Sequence, residues 1–301
     1  MEDGVLCSRA ELHPIGTCIL IQRYRKRNIM ADLQQVVMGR KSVRTYDGRN
    51  LTPEDKEKIT GYAATISNPF DIDVEFRFLD AAEHGLSSPV LSGEKEYVTG
   101  IVDKVPYSDV AFGYSFEKLV LYAWSLGIGT VWIGGTMKRS DFEKASGLTE
   151  GKRMPCISPL GYPAAKRAVK EVLMRKGVKA DVRKPVTEFC FEGDLTKPLK
   201  PQDVTGSIRR ALELVRWAPS AVNKQPWRII RDGEKYHFYE KKDVGYTSDE
   251  VGDMQKIDIG IALCHFTMRL EDEGLEYTVT INDPAIEVNA NMEYIATVEV
   301  K

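Results

Sequence analysis

Two long segments of the chain are apolar on almost every side. Residues 114–126 carry aliphatic or aromatic side chains at most positions and lead into Gly127. Residues 258–273 have the same character and lead into Gly274. A helix that is apolar all round has no face suited to water and must be buried. We therefore predict two buried central helices, one in each half of the chain, against which the remaining elements pack.

The segments around these two helices follow a similar order in both halves. In the first half, short helices lead to strands at 74–79, 130–133 and 155–160, whereas residues 85–104 are rich in loop formers and hard to assign. In the second half, a helix at 206–217 leads to strands at 227–231, 235–239, 277–281 and 294–300. This order suggests a diverged internal duplication. Two halves with similar layouts and no common origin are the simpler alternative.

The boundary between the halves is predicted at a proline-rich stretch, residues 195–203. It separates an N-terminal half, residues 30–194, from a C-terminal half, residues 195–301. Residues 1–29 differ from both, because a short apolar run at 18–21 precedes a basic cluster, the reverse of a signal peptide. A basic amphipathic anchor or a transit segment is one interpretation. We favour an upstream extension without functional weight, since Asp32 caps a helix that follows a natural start at Met30.

Charge and cysteine content exclude several classes of function. The formal net charge of the 301 residues is −2, which gives no reason to expect nucleic acid or an anionic membrane as a partner. The five cysteines are odd in number and form no C-x-x-C pair, and the four histidines lack metal-ligand spacing. We expect inert thiols in a reducing cytoplasm and no metal site. No apolar run approaches the ~20 residues of a membrane-spanning helix.

A basic segment follows the first predicted helix, residues 32–38. In an extended conformation, alternation places the side chains of Arg40, Ser42 and Arg44 on one side. Two guanidinium groups and a hydroxyl on one face suit a phosphate, because arginine binds phosphate oxygens bidentately. A solvated basic surface is the more ordinary interpretation of such a cluster.

A polar loop follows the amphipathic helix of the second half. The helix stops at Pro219, and small or amide residues then lead to Pro226 and Trp227 in the order A-P-S-x-x-N-x-Q-P-W. Such a loop can present backbone N–H groups and side-chain amides to a flat heterocycle. A connecting loop rich in turn formers is the ordinary alternative.

The basic segment and the polar loop together resemble motifs of the nitroreductase family of FMN-dependent oxidoreductases. That family consists of α+β homodimers with FMN between the subunits, the basic motif coming from one subunit and the loop from the other. Here the basic motif stands only in the first half and the intact loop only in the second. The chain is therefore similar to the fused pseudo-dimer subgroup known as putative TM nitroreductases. The resemblance covers about residues 30–301 and implies a monomeric pseudo-dimer or a weak homo-oligomer, with antiparallel or mixed sheets around the central helices.

The resemblance also implies roles for individual residues. The FMN phosphate would be held by Arg40 and Ser42, with Lys41 nearby, and Arg44 would lie near N1 and the C2 carbonyl of the flavin. The strand end at Ile133, Gly134 and Gly135 would face the middle ring and N5. A basic side chain would return to the phosphate from Arg183 or Lys184, with Lys166 and Arg167 as alternatives. The isoalloxazine would be lined by Pro219, Ser220, Ala221 and Asn223, with Gln225 supporting the loop.

The function implied is transfer of reducing equivalents from NADH or NADPH through FMN to a small oxidised organic acceptor such as a nitroaromatic or a quinone. The cofactor carries the chemistry, so no catalytic side chain is named. Two alternatives stay open: a reductive dehalogenase-type flavoenzyme on the same fold, and an FMN-binding sensor or storage protein without robust turnover.

Overall fold

A computed structural model describes residues 9–12, 18–21, 32–166, 168–177 and 181–301. The helices are α1 Leu33–Gly39, α2 Pro53–Ala63, α3 Ala81–His84, α4 Ser108–Ser125, α5 Arg139–Ser146, α6 Val169–Gly177, α7 Gly206–Trp217 and α8 Met254–Asp272. The strands are β1 Arg9–Leu12, β2 Cys18–Ile21, β3 Glu75–Asp80, β4 Glu96–Asp103, β5 Lys152–Arg153, β6 Ile157–Leu160, β7 Cys190–Glu192, β8 Trp227–Asp232, β9 Lys235–Lys241, β10 Thr247–Ser248, β11 Gly252–Asp253, β12 Tyr277–Thr280 and β13 Met292–Val300.

The two predicted central helices are confirmed as α4 and α8, which are buried along most of their length and pack on each other. They cross at a pair of glycines. A Cβ atom built on Gly113 of α4 would lie 2.1 Å from the carbonyl oxygen of Ile257, and one on Gly260 of α8 would lie 2.1 Å from that of Val110. Only a residue without a side chain allows backbones to approach this closely. The crossing forms the centre of one hydrophobic core that spans both halves.

The smaller sheet lies in the first half and is built around β4, which pairs antiparallel with β3 on one side and with β5 and β6 on the other. The sequence analysis left β4 unassigned, although six of its eight residues are buried. The predicted strand at 130–133 is wrong. Its residues form only single bridges, from Thr130 to Ser42 of the basic segment and from Ile133 to Ile157 of β6, so no continuous ladder develops among the described residues.

The larger sheet has the order β1-β2-β12-β13-β9-β8-β7 among the described strands. Its neighbours pair antiparallel except β7 and β8, which are parallel. Strand β7 precedes the predicted boundary at residue 195 yet joins this second-half sheet. Strands β1 and β2, from the segment interpreted as an upstream extension, continue the sheet beyond β12. Together with the helices, the two sheets confirm the α+β class.

Helices α1 and α7 lead directly into the two predicted binding motifs. Asp32 caps α1 by accepting a hydrogen bond from the backbone N–H of Gln35 at 3.1 Å, and the helix ends directly before Arg40. Helix α7 is amphipathic, buries Ile208, Leu212 and neighbouring residues, and ends at Trp217 just before Pro219. Both predicted helices are therefore confirmed, and each ends where a candidate binding segment begins.

The described part of the chain contains no helix long and apolar enough to cross a membrane. Nor does it contain a group of three or more histidine, cysteine or acidic residues arranged to hold a metal ion. The cysteines whose side chains are described, Cys156, Cys190 and Cys264, are buried free thiols, and burial raises the pKa of each.

Candidate functional site

A cavity of about 640 Å³ lies between the two halves. The basic segment 40–44 lines one part of it, the polar loop 219–223 lines another, and helix α8 lies between them. This volume falls within the range of ~300–1,000 Å³ found for small-molecule and cofactor sites. The two motifs, separated by about 175 positions in the sequence, thus share one cavity. Its lining comprises Met38, Gly39, Arg40, Lys41, Ser42, Arg44, Val131, Trp132, Gly134, Gly135, Pro155, Cys156, Met174, Asp181, Arg183, Trp217, Pro219, Ser220, Ala221, Val222, Asn223, Val251, Met254, Ile257, Asp258 and Ile261.

The basic segment is held as a short extended stretch. Val43 donates a backbone hydrogen bond to the carbonyl of Thr130 at 2.9 Å and buries its side chain in the core. The alternating neighbours Arg40, Ser42 and Arg44 line the cavity, as the alternation predicts. Lys41 also lines it, with an exposed side chain at its edge.

A buried polar network lies behind Arg40. Glu117 of α4 is fully buried and accepts a hydrogen bond from Trp132 Nε1 at 3.0 Å, and its Oε1 lies 3.0 Å from Nε2 of His265 on α8. The Nε atom of Arg40 lies 4.0 Å from the same oxygen. Because the carbonyl of Leu214 can only accept, Nδ1 of His265 donates to it, at 2.8 Å. Glu117 therefore links the basic segment to both central helices.

Arg44 and Thr45 are held in place by helix α6. Glu171 of α6 is buried, and its Oε2 accepts hydrogen bonds from Arg44 N at 3.2 Å and Thr45 Oγ1 at 2.9 Å. Residues 166–179 include six lysines and arginines, a composition typical of a helix exposed to solvent. The described part of this helix is docked by its one buried acid, and Met174 from it lines the cavity.

The polar loop has an unusual backbone. Val222, Asn223 and Gln225 all have positive φ, at 42°, 59° and 53°. Such values cost non-glycine residues energy, most for a β-branched valine, and they persist only where the surroundings impose them. Here the loop is held by hydrogen bonds from Gln225 N to Ser220 Oγ at 2.9 Å and from Ala221 N to both carboxyl oxygens of Asp258 at 3.1 Å.

Gln225 supports the loop from behind and does not line the cavity. Its side chain is 3% exposed, and its Oε1 accepts the backbone N–H of Lys184 at 3.0 Å. The ammonium of Lys184 donates to the carbonyls of Lys224 and Gln225, which keeps it out of the cavity lining. Arg183 does line the cavity, where it donates to Asn223 Oδ1 at 3.2 Å and lies 5.4 Å from the ring centre of Trp217. Of the basic candidates after residue 163, Arg183 therefore reaches the cavity, Lys166 does not line it, and Arg167 lies outside the described residues.

The glycine pair behaves differently from the residue before it. Gly134 and Gly135 line the cavity, whereas Ile133 is 3% exposed and packs into the smaller hydrophobic core of the first half. The carbonyl of Gly134 accepts a hydrogen bond from Arg139 Nη2 at 2.7 Å, which fixes this wall.

The sequence analysis missed Asp258 and Glu117. Residue 258 stood at the predicted start of the second central helix, where an aspartate suggests a cap. Helix α8 in fact begins at Met254 with Asp253 as its cap, so Asp258 lies in the second turn and faces the cavity. The signal that could have found both acids is a carboxylate within an otherwise apolar helix, since buried acids need a specific reason.

Comparisons with known proteins agree with this architecture. The family model described as putative TM nitroreductase matches residues 32–269. A crystal structure of a putative nitroreductase from Thermotoga maritima matches with a TM-score of 0.58 at 18% identity, covering 92% of this chain and 97% of that one. This likeness shows the nitroreductase fold.

Two further structures match with TM-scores below 0.4. A putative NADH dehydrogenase/NAD(P)H nitroreductase from Bacteroides thetaiotaomicron is 23% identical and has a TM-score of 0.39, covering 45% of this chain and 88% of that one. An FMN-dependent nitroreductase from Clostridium difficile is 18% identical and has a TM-score of 0.38, covering 47% of this chain and 94% of that one. No curated protein matches. Since the family model spans most of the sequence, the chain belongs to the putative TM nitroreductase family.

Proposed function

We propose that this chain binds one FMN in the cavity between its halves and passes reducing equivalents from NADH or NADPH to a small oxidised organic acceptor, such as a nitroaromatic or a quinone. One observation carries the proposal: the basic segment 40–44 and the loop 219–223 line the same cavity. We also propose that the protein is cytoplasmic and that it is a monomeric pseudo-dimer or a weak homo-oligomer.

The residues that line the cavity fit FMN in charge and in shape. Arg40, Lys41, Arg44 and Arg183 give the cavity an excess of positive charge, which suits a phosphate. Gly134, Gly135 and the small residues of the loop leave room for a flat ring to approach the backbone. FMN would supply the electron-carrying chemistry.

In this proposal, the residues of the chain bind FMN and orient it. Arg40 and Ser42 would hold the phosphate with Lys41, and Arg183 would add a further cation. Arg44 would favour a negative charge on the ring, because a fixed cation in a partly buried site interacts more strongly than one in water. Residues 219–223 and the glycine pair would contact the ring, and the buried Gln225 keeps that loop in its strained conformation.

Substitution of Arg40 tests whether the basic segment contributes to FMN binding. Loss of a charge-assisted bond to phosphate costs ~1.5–3 kcal/mol, so Arg40→Ala should raise the Kd for FMN by roughly 10- to 150-fold. Asn223→Ala should also lower FMN affinity, although it lies in the other half. Arg49→Ala is the matched control, since Arg49 is an exposed arginine paired with Asp47 outside the cavity lining.

Flavin absorbance of the purified protein and FMN titration of the apoprotein measure these affinities. Stopped-flow mixing with NADH and with NADPH then reports whether the bound flavin is reduced. A colourless protein that takes up no added FMN would refute the proposal. Bound flavin that neither nucleotide reduces would favour the sensor or storage protein.

A further inference from the structure

Asp258 is a buried acid whose carboxyl group faces the cavity. It lies in the second turn of α8, is 3% exposed, and lines the cavity together with Ile257 and Ile261. Its neighbours along the helix are apolar, so its burial is costly unless the group is satisfied or neutral. The proposed FMN chemistry assigns this group no role.

The partners of Asp258 are too few for a stable carboxylate. Both oxygens face the single backbone N–H of Ala221, at 3.1 Å. Among the described residues, no lysine, arginine or histidine lies within 4.0 Å of it. A carboxylate typically needs two or three N–H donors to remain ionised when buried. A protonated carboxyl group, in contrast, needs one acceptor site and one donor site.

The charged groups around Asp258 also favour the protonated form. Burial is the main cause that raises the pKa of Asp258, and the acids Asp253 at the start of α8 and Glu240 on β9 raise it further. The packed helix α4 carries the charged residues Asp109, Glu117 and Lys118, and the loop 219–223 carries no charged side chain. The remaining charged groups of the cavity lining are Arg40, Lys41, Arg44, Asp181 and Arg183.

We propose that Asp258 holds a proton in the cavity and delivers it from its carboxyl oxygen to the acceptor as the acceptor is reduced. This inference rests on the proposed function, which supplies the electron pair. The O–H bond of Asp258 breaks and leaves its electrons on the carboxylate. The reduced oxygen of the acceptor, a quinone carbonyl or nitro oxygen, forms the new O–H bond. A proton from water then restores Asp258.

The consequence is a preference for acceptors that must be protonated when they gain electrons. A positioned general acid contributes roughly 10²–10⁴-fold to such a step. An acceptor that takes electrons without a proton, such as ferricyanide, gains nothing from Asp258. The two kinds of acceptor therefore separate proton delivery from every other property of the cavity.

Asp258→Asn is the informative variant, because its side-chain oxygen can still accept the N–H of Ala221 and hold the loop. Glu240→Gln is the matched control, a buried acid outside the cavity lining. We expect Asp258→Asn to retain bound flavin and its reduction by NADH or NADPH, and to react with ferricyanide as the wild type does. Its reoxidation by benzoquinone should be at least ~100-fold slower, with the alkaline limb of the wild-type pH profile lost.

Infrared spectroscopy of the apoprotein provides a second readout that needs no flavin. The carbonyl band of a protonated carboxyl group at neutral pH should weaken in Asp258→Asn, and the part that remains should be removed by Glu240→Gln. An ionised Asp258 at neutral pH, or equal benzoquinone rates for Asp258→Asn and wild type across pH, would overturn the inference. If the wild type accepts no electrons at all, the proposed function fails, and the infrared band still decides whether Asp258 holds a proton.

Discussion

Replacing Gly260 with alanine tests whether the crossing of α4 and α8 determines the stability of the fold and the shape of the cavity. The new Cβ would lie 2.1 Å from the carbonyl oxygen of Val110 and 2.8 Å from the backbone nitrogen of Tyr114. Real Cβ contacts essentially never fall below 3.0 Å. Both contacts are with backbone atoms of a helix, so no side-chain rotation can relieve them. The helices must separate by roughly 1 Å, which disturbs the core on both sides.

The expected cost is the balance of two effects. Overpacking a core costs about 1–3 kcal/mol, and the upper end applies here because the obstructing atoms belong to the helix backbone. Alanine recovers about 1 kcal/mol through its better helix propensity. Gly260→Ala should therefore lower the free energy of unfolding by about 2 kcal/mol. With a urea m-value near ~3 kcal/mol/M, the midpoint falls by about 0.7 M.

Urea unfolding followed by circular dichroism measures this change, and Gly61→Ala in α2 is its control. Gly61 is an exposed helical glycine with open space where its Cβ would be, so alanine there should raise stability by about 0.5–1 kcal/mol. Ligand affinity should fall in Gly260→Ala alone, since the neighbouring Ile257, Asp258 and Ile261 line the cavity. If Gly260→Ala is as stable as the wild type while Gly61→Ala behaves as expected, the argument from the crossing is wrong.

Three further substitutions test separate features. Glu117→Gln removes the buried negative charge that faces Arg40 and should cost about 3 kcal/mol in urea unfolding; an unchanged midpoint would contradict the network described for it. Val222→Gly relieves a positive φ of 42° and should raise the unfolding free energy by about 1 kcal/mol, whereas a loss would show that the valine side chain stabilises the loop. Burial, followed by the charge of Asp253, raises the pKa of Glu240 from 4.5 to about 8, so stability should decline as pH rises from 4.5 to 8. Glu240→Gln should reduce this decline by up to about 5 kcal/mol and leave the part that Asp258 contributes, and a slope equal to that of the wild type would contradict the assignment.

Local sequence patterns predicted those elements whose formation depends on near neighbours. The cap at Asp32, the apolar character of residues 114–126 and the stop at Pro219 are signals that each segment carries by itself. Strand β4 carries no such signal, because it is buried on both faces between loop-rich stretches and shows no alternation. The extended residues 130–133 have strand-like composition, but their bridge partners are single residues of two other segments, Ser42 and Ile157, which no local pattern reveals.

The two motifs of the candidate site could be predicted from the sequence, but the contacts that hold them in place could not. The decisive contacts join residues far apart in sequence. Glu117 and His265 are 148 positions apart, and Ala221 and Asp258 are 37 apart. Such pairs follow from the way the central helices cross, which only the folded structure specifies.

The same two pairs explain how a cavity between two halves can keep its shape. One wall, the basic segment, reaches α4 and α8 through Arg40, Glu117 and His265. The other wall, the polar loop, reaches α8 through Ala221 and Asp258. Each wall is thus attached by a buried acid to the helix pair that crosses at its glycines. A change in the crossing should therefore move both walls together, whereas a substitution that removes the hydrogen bonds of either acid should disturb mainly the wall that it holds.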